Sequence, residues 1–251
     1  MLKRCCFLGC ISLVVGAIAI SAATPATQPD LDPDALAILK ATMGSLADAK
    51  TFSFHVRVAR DRQATNNQII TYFNQDAVTV SRPNKLRIDI DGEHHDVQFY
   101  FDGTKATLFT PETKLYVSHA APATIDEMLK TMDERGVSFP MNNLLENRPY
   151  DTLIKGLQTA YVVGRVNIND KTFIHLVFTE ASADWQLWVE PGDKPLPKGL
   201  IIVYKTEPGS PRVTMDFSDW NLNAQPDAQT FDFVKPEDAH EIQFFPMKAG
   251  K

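Results

Sequence analysis

From Thr51 onward the chain alternates. Phe52, Phe54, Val56 and Val58 are separated by Ser53, His55 and Arg57; Leu86, Ile88 and Ile90 by Arg87 and Asp89. A period of two sends successive side chains to opposite faces, so each run reads as a strand with one buried face. Residues 60–67 are polar and read as a loop. The pattern resumes at 69–73, 77–80, 97–101, 106–109 and 115–117. Arg82-Pro83-Asn84, Asp102-Gly103 and Thr110-Pro111-Glu112 supply the turns. It returns at 159–166, 172–179, 184–190, 199–206 and 212–220, and closes with Thr230-Phe231-Asp232-Phe233. That is about eleven strands. Tight turns between successive strands predict an antiparallel meander, not βαβ units.

One hairpin is unusually apolar. In DWQLWVEPGDKPLPKGLIIVY, residues 184–204, Trp185, Leu187 and Val189 fall on one face, Gln186 and Trp188 on the other. Pro191-Gly192-Asp193 is turn chemistry. Residues 200–204 are apolar at both parities, which predicts a strand covered on both sides.

Two stretches have helical spacing instead. After Asp32-Pro33-Asp34, a capping residue with Pro in the first turn, Leu36, Leu39, Met43 and Leu46 recur at the period of a helix ending near Asp48. In an insert at about residues 123–156, Thr124 is a cap with Glu127 as its partner. Ile125, Met128, Leu129 and Met132 form the stripe, and Gly136 ends the helix. Two further short helices are expected at 141–146 and 150–156.

One sheet of so many strands must curl or split. If it curls incompletely, its concave face is too wide for its own side chains to fill, and the helices are its natural cover. An apolar groove between sheet and cover suits an apolar ligand. A fully packed barrel or sandwich has the same alternation. The groove and lid candidates are Met128, Leu129, Met132, Phe139 and Met141 from the insert, with Trp185 and Trp188 from the hairpin. Alternation allows only one of these two Trp to face the concavity.

The N-terminus belongs to a different category. Lys3 and Arg4 precede a run from Cys5 to Ile20 that is almost wholly apolar, then Ser21-Ala22-Ala23. This is the pattern of a secretory signal peptide cleaved after Ala23, leaving one domain over residues 24–251. Leu8-Gly9-Cys10 faintly resembles a lipoprotein signal, but the apolar run continues past Cys10. All three cysteines, Cys5, Cys6 and Cys10, lie in this segment. The mature chain therefore has no thiol catalysis, no disulfide framework and no Cys-ligated metal. Loss of Lys3 and Arg4 leaves 23 of the 25 cations against 31 acids, a net charge of −8. Without a basic cluster, nucleic acid is not an expected partner.

Catalytic signatures are absent: there is no G-x-S-x-G, no H-E-x-x-H and no phosphate loop. His94-His95-Asp96 has Glu93 beside it, but adjacent residues point opposite ways and no further His stands at ligand spacing. Ser53/His55 and Ser118-His119 are chance neighbours. Asp126-Glu127 and Asp133-Glu134 read as a solvated helix face. No catalytic residue, metal ligand or cofactor is expected.

Several segments carry a family resemblance: the Asp-Pro-Asp-Ala-Leu opening, RPNKLRIDID, residues 101–145 from Phe101-Asp102-Gly103, the Trp hairpin and the closing TFDFVKPEDAHEI. Together they resemble a bacterial family of predicted periplasmic proteins, which in turn resembles the outer-membrane lipoprotein carrier and receptor superfamily with the LolA/LolB-like fold. The resemblance implies a mainly β (α+β) protein. Its single curved antiparallel sheet is an unclosed half-barrel, with an N-terminal helix and a helical insert over the concave face. It implies a periplasmic protein that binds a lipid or a lipoprotein acyl chain; with no catalytic signature in the sequence, the expectation is a non-enzymatic carrier, and a monomer. The alternative function is an envelope sensor or interaction module that recognises a protein partner through the same fold. No site residue is carried over from the carriers.

Overall fold

The computed structural model describes residues 29–243; the expected signal peptide, residues 1–23, lies outside them. In chain order the elements are β1 (Asp30–Leu31), α1 (Pro33–Ala47), β2 (Thr51–Gln63), β3 (Ile69–Ser81), β4 (Lys85–Gly92), β5 (Val97–Phe101), β6 (Lys105–Thr110) and β7 (Leu115–Ala120). The insert follows, with α2 (Ile125–Glu134), α3 (Asn142–Leu145) and α4 (Pro149–Leu153). Then come β8 (Leu157–Ile168), β9 (Lys171–Glu180), β10 (Ala183–Glu190), β11 (Leu196–Tyr204), β12 (Arg212–Asn221) and β13 (His240–Glu241).

All the strands form one open sheet in the order β1-β8-β9-β10-β11-β12-β2-β3-β4-β5-β6-β7-β13. Neighbours are antiparallel except at the two edges, where β1 lies parallel to β8 and β13 parallel to β7. Two sequential meanders, β2–β7 and β8–β12, thus meet at one seam between β12 and β2. The fold class is the one expected, with 13 strands among the described residues instead of about eleven. The two edge strands have two residues each, too few to show a period. The stretches expected as separate strands at 69–73 and 77–80 are one strand. The residues expected as a loop at 60–67 continue β2 to Gln63, because β2 and β3 pair in unbroken register from Thr51↔Ser81 to Gln63↔Ile69. Backbone hydrogen bonds hold polar positions as well as apolar ones, so polarity did not mark the end of the strand.

The concave face holds the core. β2 contributes Phe52, Phe54, Val56 and Val58, β10 contributes Trp185, Leu187 and Val189, and β12 contributes Val213, Met215 and Phe217. Trp188 is on the other face, stacked on His175 with centroids 4.2 Å apart, as the alternation requires. On β11, Leu200 is buried in the core with Ile202 packed against it, while Ile201 and Val203 are only half-buried on the convex side. The strand expected to be covered on both faces is covered on one. Trp220, which the alternation did not single out, stacks on Phe54 at 4.3 Å and donates to the Pro197 carbonyl at 2.8 Å.

The last segment departs from expectation. Residues 230–233 are the end of a turn followed by irregular chain, not a strand, and place Phe233 against Tyr100, Phe109 and Tyr116 on the convex face. Alternating Phe residues on a four-residue run suit a strand or a strap equally, since either presents them to one surface.

The helices close the concave side. Asp32 caps α1 by accepting from Asp34 N at 2.9 Å, and Leu39, Met43 and Leu46 enter the core. Thr124 caps α2, accepting from Glu127 N at 3.3 Å and donating to the Glu127 carboxylate at 3.0 Å. Gly136 takes φ 81 just past the end of α2, a conformation that costs glycine little. The insert is tied to the sheet near both ends. Ile125 N donates to the Pro83 carbonyl at 3.0 Å. Arg82, just after β3, reaches the Leu145 carbonyl at 2.9 Å and Asn147 Oδ1 at 3.2 Å, with its guanidinium 5.3 Å from the Phe52 ring centre. Asn147 is bound in turn by Asp126 of α2. Burial pushes the Arg82 pKa down to about 10, against the pull of Asp126. Its Nε and Nη2 are buried without partners. Between these ties, among the described residues, no backbone hydrogen bond joins 136–141 to the sheet.

Arg82→Ala leaves the Leu145 carbonyl and Asn147 without their donor, so stability should fall by about 2–4 kcal/mol in urea unfolding. Amide exchange should quicken in α3 and α4 and stay slow in β2 and β3.

Candidate functional site

Helix α2 lies in the trough with a different cleft on each flank. On one flank, Met128 and Met132 face Phe99, Leu108 and Val117 of β5, β6 and β7 across a narrow slot. Its free volume of about 480 Å³ includes the mouth. His119, Thr131 and Arg135 are its polar wall residues. On the other flank, Leu129, Phe139 and Leu144 of the insert and Trp185, Leu200 and Ile202 of the sheet border a wider cleft of about 1210 Å³, again counted with its mouth, and Lys130, Asp133, Asn143, Glu146 and Glu180 are among its polar wall residues. Ser138 and Pro140 also border two further openings along the trough, so the unbonded stretch of the insert overhangs one broad concavity.

The candidate residues thus divide. Met128 and Met132 line the slot; Leu129, Phe139 and Trp185 line the wide cleft. Met141 is fully buried in the core, and Trp188 lies outside the concavity altogether. Phe139 rests on Phe99 with centroids 5.3 Å apart. The Trp185 indole is fixed: it stacks on Phe178 at 3.8 Å and donates to Glu180 Oε1 at 2.9 Å. That bond satisfies the one polar atom of a side chain only 5% exposed.

The trough changes character along its length. Beyond Val58 the same face of β2 carries Arg60 and Arg62, and Tyr204 of β11 joins them with Asp133 of α2 and Glu207. Arg60 and Arg62 were missed in the sequence because residues 60–67 read as a loop; the parity of Phe52–Val58, carried two steps further, would have found them. Asp76, on β3, is 3% exposed and receives a hydrogen bond from Asn74 Nδ2. Burial raises its pKa to about 6, against the Asn74 bond and the Arg60 charge.

Other polar groups were weighed for chemistry. His55 Nδ1 lies 3.1 Å from Asp219 Oδ2, and Ser218 Oγ donates to the same oxygen at 3.0 Å. The hydroxyl therefore faces the carboxylate and not the imidazole that would have to take its proton. His94 packs against Tyr72 at 5.1 Å. Among the described residues no three His, Cys, Asp or Glu side chains converge on a metal-sized site.

The family model described as Predicted periplasmic protein (DUF2092) matches residues 35–245. The chain belongs to this family. No curated protein matches this DUF2092 chain in sequence. Solved structures do resemble it. An uncharacterized conserved protein from Thermus thermophilus is 11% identical, with TM-score 0.48, covering 83% of this chain and 98% of its own. Lipoprotein LppX from Mycobacterium tuberculosis is 13% identical, with TM-score 0.46, covering 78% and 100%. A LolA superfamily protein from Nitrosomonas europaea is 15% identical, with TM-score 0.35, covering 78% and 96%. The resemblance read in the sequence holds for the family, which the family model shows, and for the kind of sheet, which the strand order above shows. Among the described residues no helix is long and apolar enough to cross a membrane.

The raised pKa of Asp76 has a definite sign. Its folded-state value exceeds that of the unfolded chain, so the folded state holds the extra proton between about pH 4 and 6 and stability falls as pH rises through that window. Above it the buried carboxylate costs at most about 3 kcal/mol. Asp76→Asn should therefore unfold at higher urea than the parent at pH 7.5, with the gain shrinking towards pH 4.

Proposed function

We propose that this protein is a periplasmic, non-enzymatic binding protein that holds a lipid or other apolar chain in the concave clefts beside α2. The supporting observation is the wide cleft between the insert and the sheet: Phe139, Trp185, Leu200 and Ile202 border it as largely buried apolar side chains, which an entering chain would part and contact. The slot under Met128 and Met132 would take a second chain or the far end of the first, and Met adapts to irregular partners. Residues 24–251 would serve as one exported domain, with the insert as its cover.

Energetics fit reversible holding. Burying about ten methylenes contributes about 8 kcal/mol at about 0.8 each. Lost translational and rotational freedom offsets at least about 4 kcal/mol of that. Apolar contact alone gives a loosely held chain, which suits pick-up and release. The insert can open about its two ties because the stretch between them has no hydrogen bond to the sheet.

A second reading is recognition of an envelope protein. One feature favours it. β1 covers β8 only at Thr159 and Ala160, and beyond them the edge carries Tyr161 and Val163, 52% and 51% exposed. A partner strand could add there by β-augmentation.

Native mass spectrometry of detergent-free protein and uptake of a fluorescent fatty acid test the main reading. Mature protein should take up the probe, and Phe139→Ala should weaken uptake about tenfold while leaving the melting profile cooperative. No co-purifying lipid together with no uptake would reject it. Val163→Lys should leave uptake unchanged.

A further inference from the structure

We propose that the charged end of the wide concavity is a headgroup subsite for a zwitterionic amphiphile, with a phosphate at Arg60 and Arg62 and an ammonium at Asp133 and Glu207. The inference rests on the apolar-chain reading above and names the ligand class for the same concavity.

Five charged residues line one opening next to Pro140 and Tyr204: Arg60 and Arg62, and Asp61, Asp133 and Glu207; with Asp61 held by Thr71, two of each sign are left. Opposite charges around one cleft ordinarily pair, yet none of the four belongs to any ion pair within 4.0 Å among the described residues. None of their side chains makes a hydrogen bond there either, whereas neighbouring Asp61 is engaged by Thr71 at 2.7 Å. The arrangement is asymmetric. Arg60 and Arg62 project from the sheet, two residues apart on one strand face and therefore side by side. Asp133 comes from the insert and Glu207 from the turn after β11. Arg60 is half-buried, and desolvation, followed by the Arg62 charge, lowers its pKa. A cation in that position gains most from an anion that arrives from outside.

The sign of the ligand follows from the whole set. Besides Arg60, Arg62, Asp133 and Glu207, the concavity is lined by Asp61, held by Thr71, by Asp76, whose carboxyl is occupied by Asn74, and by Glu93, which accepts from Phe73 N at 3.1 Å; further along, the cleft has Lys130, with Glu146 bound by Thr152 and Glu180 by the Trp185 indole. A purely anionic head would meet Arg60 and Arg62 but also two free carboxylates. A purely cationic head would meet the reverse. A head with both charges satisfies both pairs, and guanidinium groups suit phosphate oxygens better than ammonium groups do. Continuity supplies the rest: Ser138 and Pro140 border both this opening and the apolar cleft floored by Trp185, so one molecule can lie with its head here and its chain there.

The test compares three lipids with one identical acyl chain: a lysophosphatidylethanolamine, a lysophosphatidylglycerol and a monoacylglycerol. Each is titrated into the mature protein below its aggregation point, with calorimetry as the readout. The phosphoethanolamine lipid should bind at least about tenfold more tightly than the other two. Arg60→Gln, and separately the exposed Arg62→Gln, should bring it down to the level of the monoacylglycerol without weakening the monoacylglycerol itself. Asp133→Asn should reduce its advantage over the phosphoglycerol lipid. Equal binding of all three overturns the headgroup subsite and leaves the apolar reading standing, as does tightest binding of the phosphoglycerol lipid. Binding of none of the three overturns the apolar reading itself. Should Arg60→Gln fail to fold, Arg62→Gln alone decides.

Discussion

A strand keeps each side chain on the face its parity assigns, for as long as the strand lasts. In β2 this constraint runs through 13 residues. The same face that supplies Phe52, Phe54, Val56 and Val58 to the core goes on to present Arg60 and Arg62. β3, paired with β2 throughout, does likewise with Val80 and Val78 followed by Asp76 and Asn74. The trough therefore has an apolar end, which the helices close, and a charged end, which they leave open. The core, the cover and the candidate site all follow from that one change of residue type on a fixed face.

The insert completes the concavity because of how it is held. Its ties are polar and lie near its two ends, at Ile125–Pro83 and Arg82–Leu145. Its contacts in between are apolar and non-directional, with Phe139 on Phe99 as the clearest. Hydrogen bonds fix position, whereas apolar contacts mainly reward burial. A cover fixed at its ends and merely seated in the middle can lift there without losing its anchorage.

Much of this was legible in the sequence. Alternation located the main strands, and it put Trp185 and Trp188 on opposite faces. Asp32 and Thr124 marked the helix starts, and the α2 stripe named Met128, Leu129 and Met132. What stayed hidden depended on partners distant in the chain. β1 and β13 exist as strands only through their parallel neighbours. Arg60 and Arg62 looked like loop residues because only the register with β3 extends the strand through them. Met141 looked like a lid residue, and its burial beneath the cover could not be read from its type. Local spacing reports which face a residue is on; it does not report what lies opposite that face.

The seam between β12 and β2 has a bearing on how the chain assembles. Each meander closes through hairpins between sequence neighbours, but Val56 meets Phe217 only when distant parts of the chain come together. Closing so long a loop is entropically costly, so the two meanders can form early and their union late. The insert belongs to neither meander alone: Phe139 touches Phe99 in the first and shares its cleft with Trp185 in the second. A molecule lodged beneath Phe139 would therefore span the last joint to form, and would slow its reopening as a rivet slows the parting of two plates.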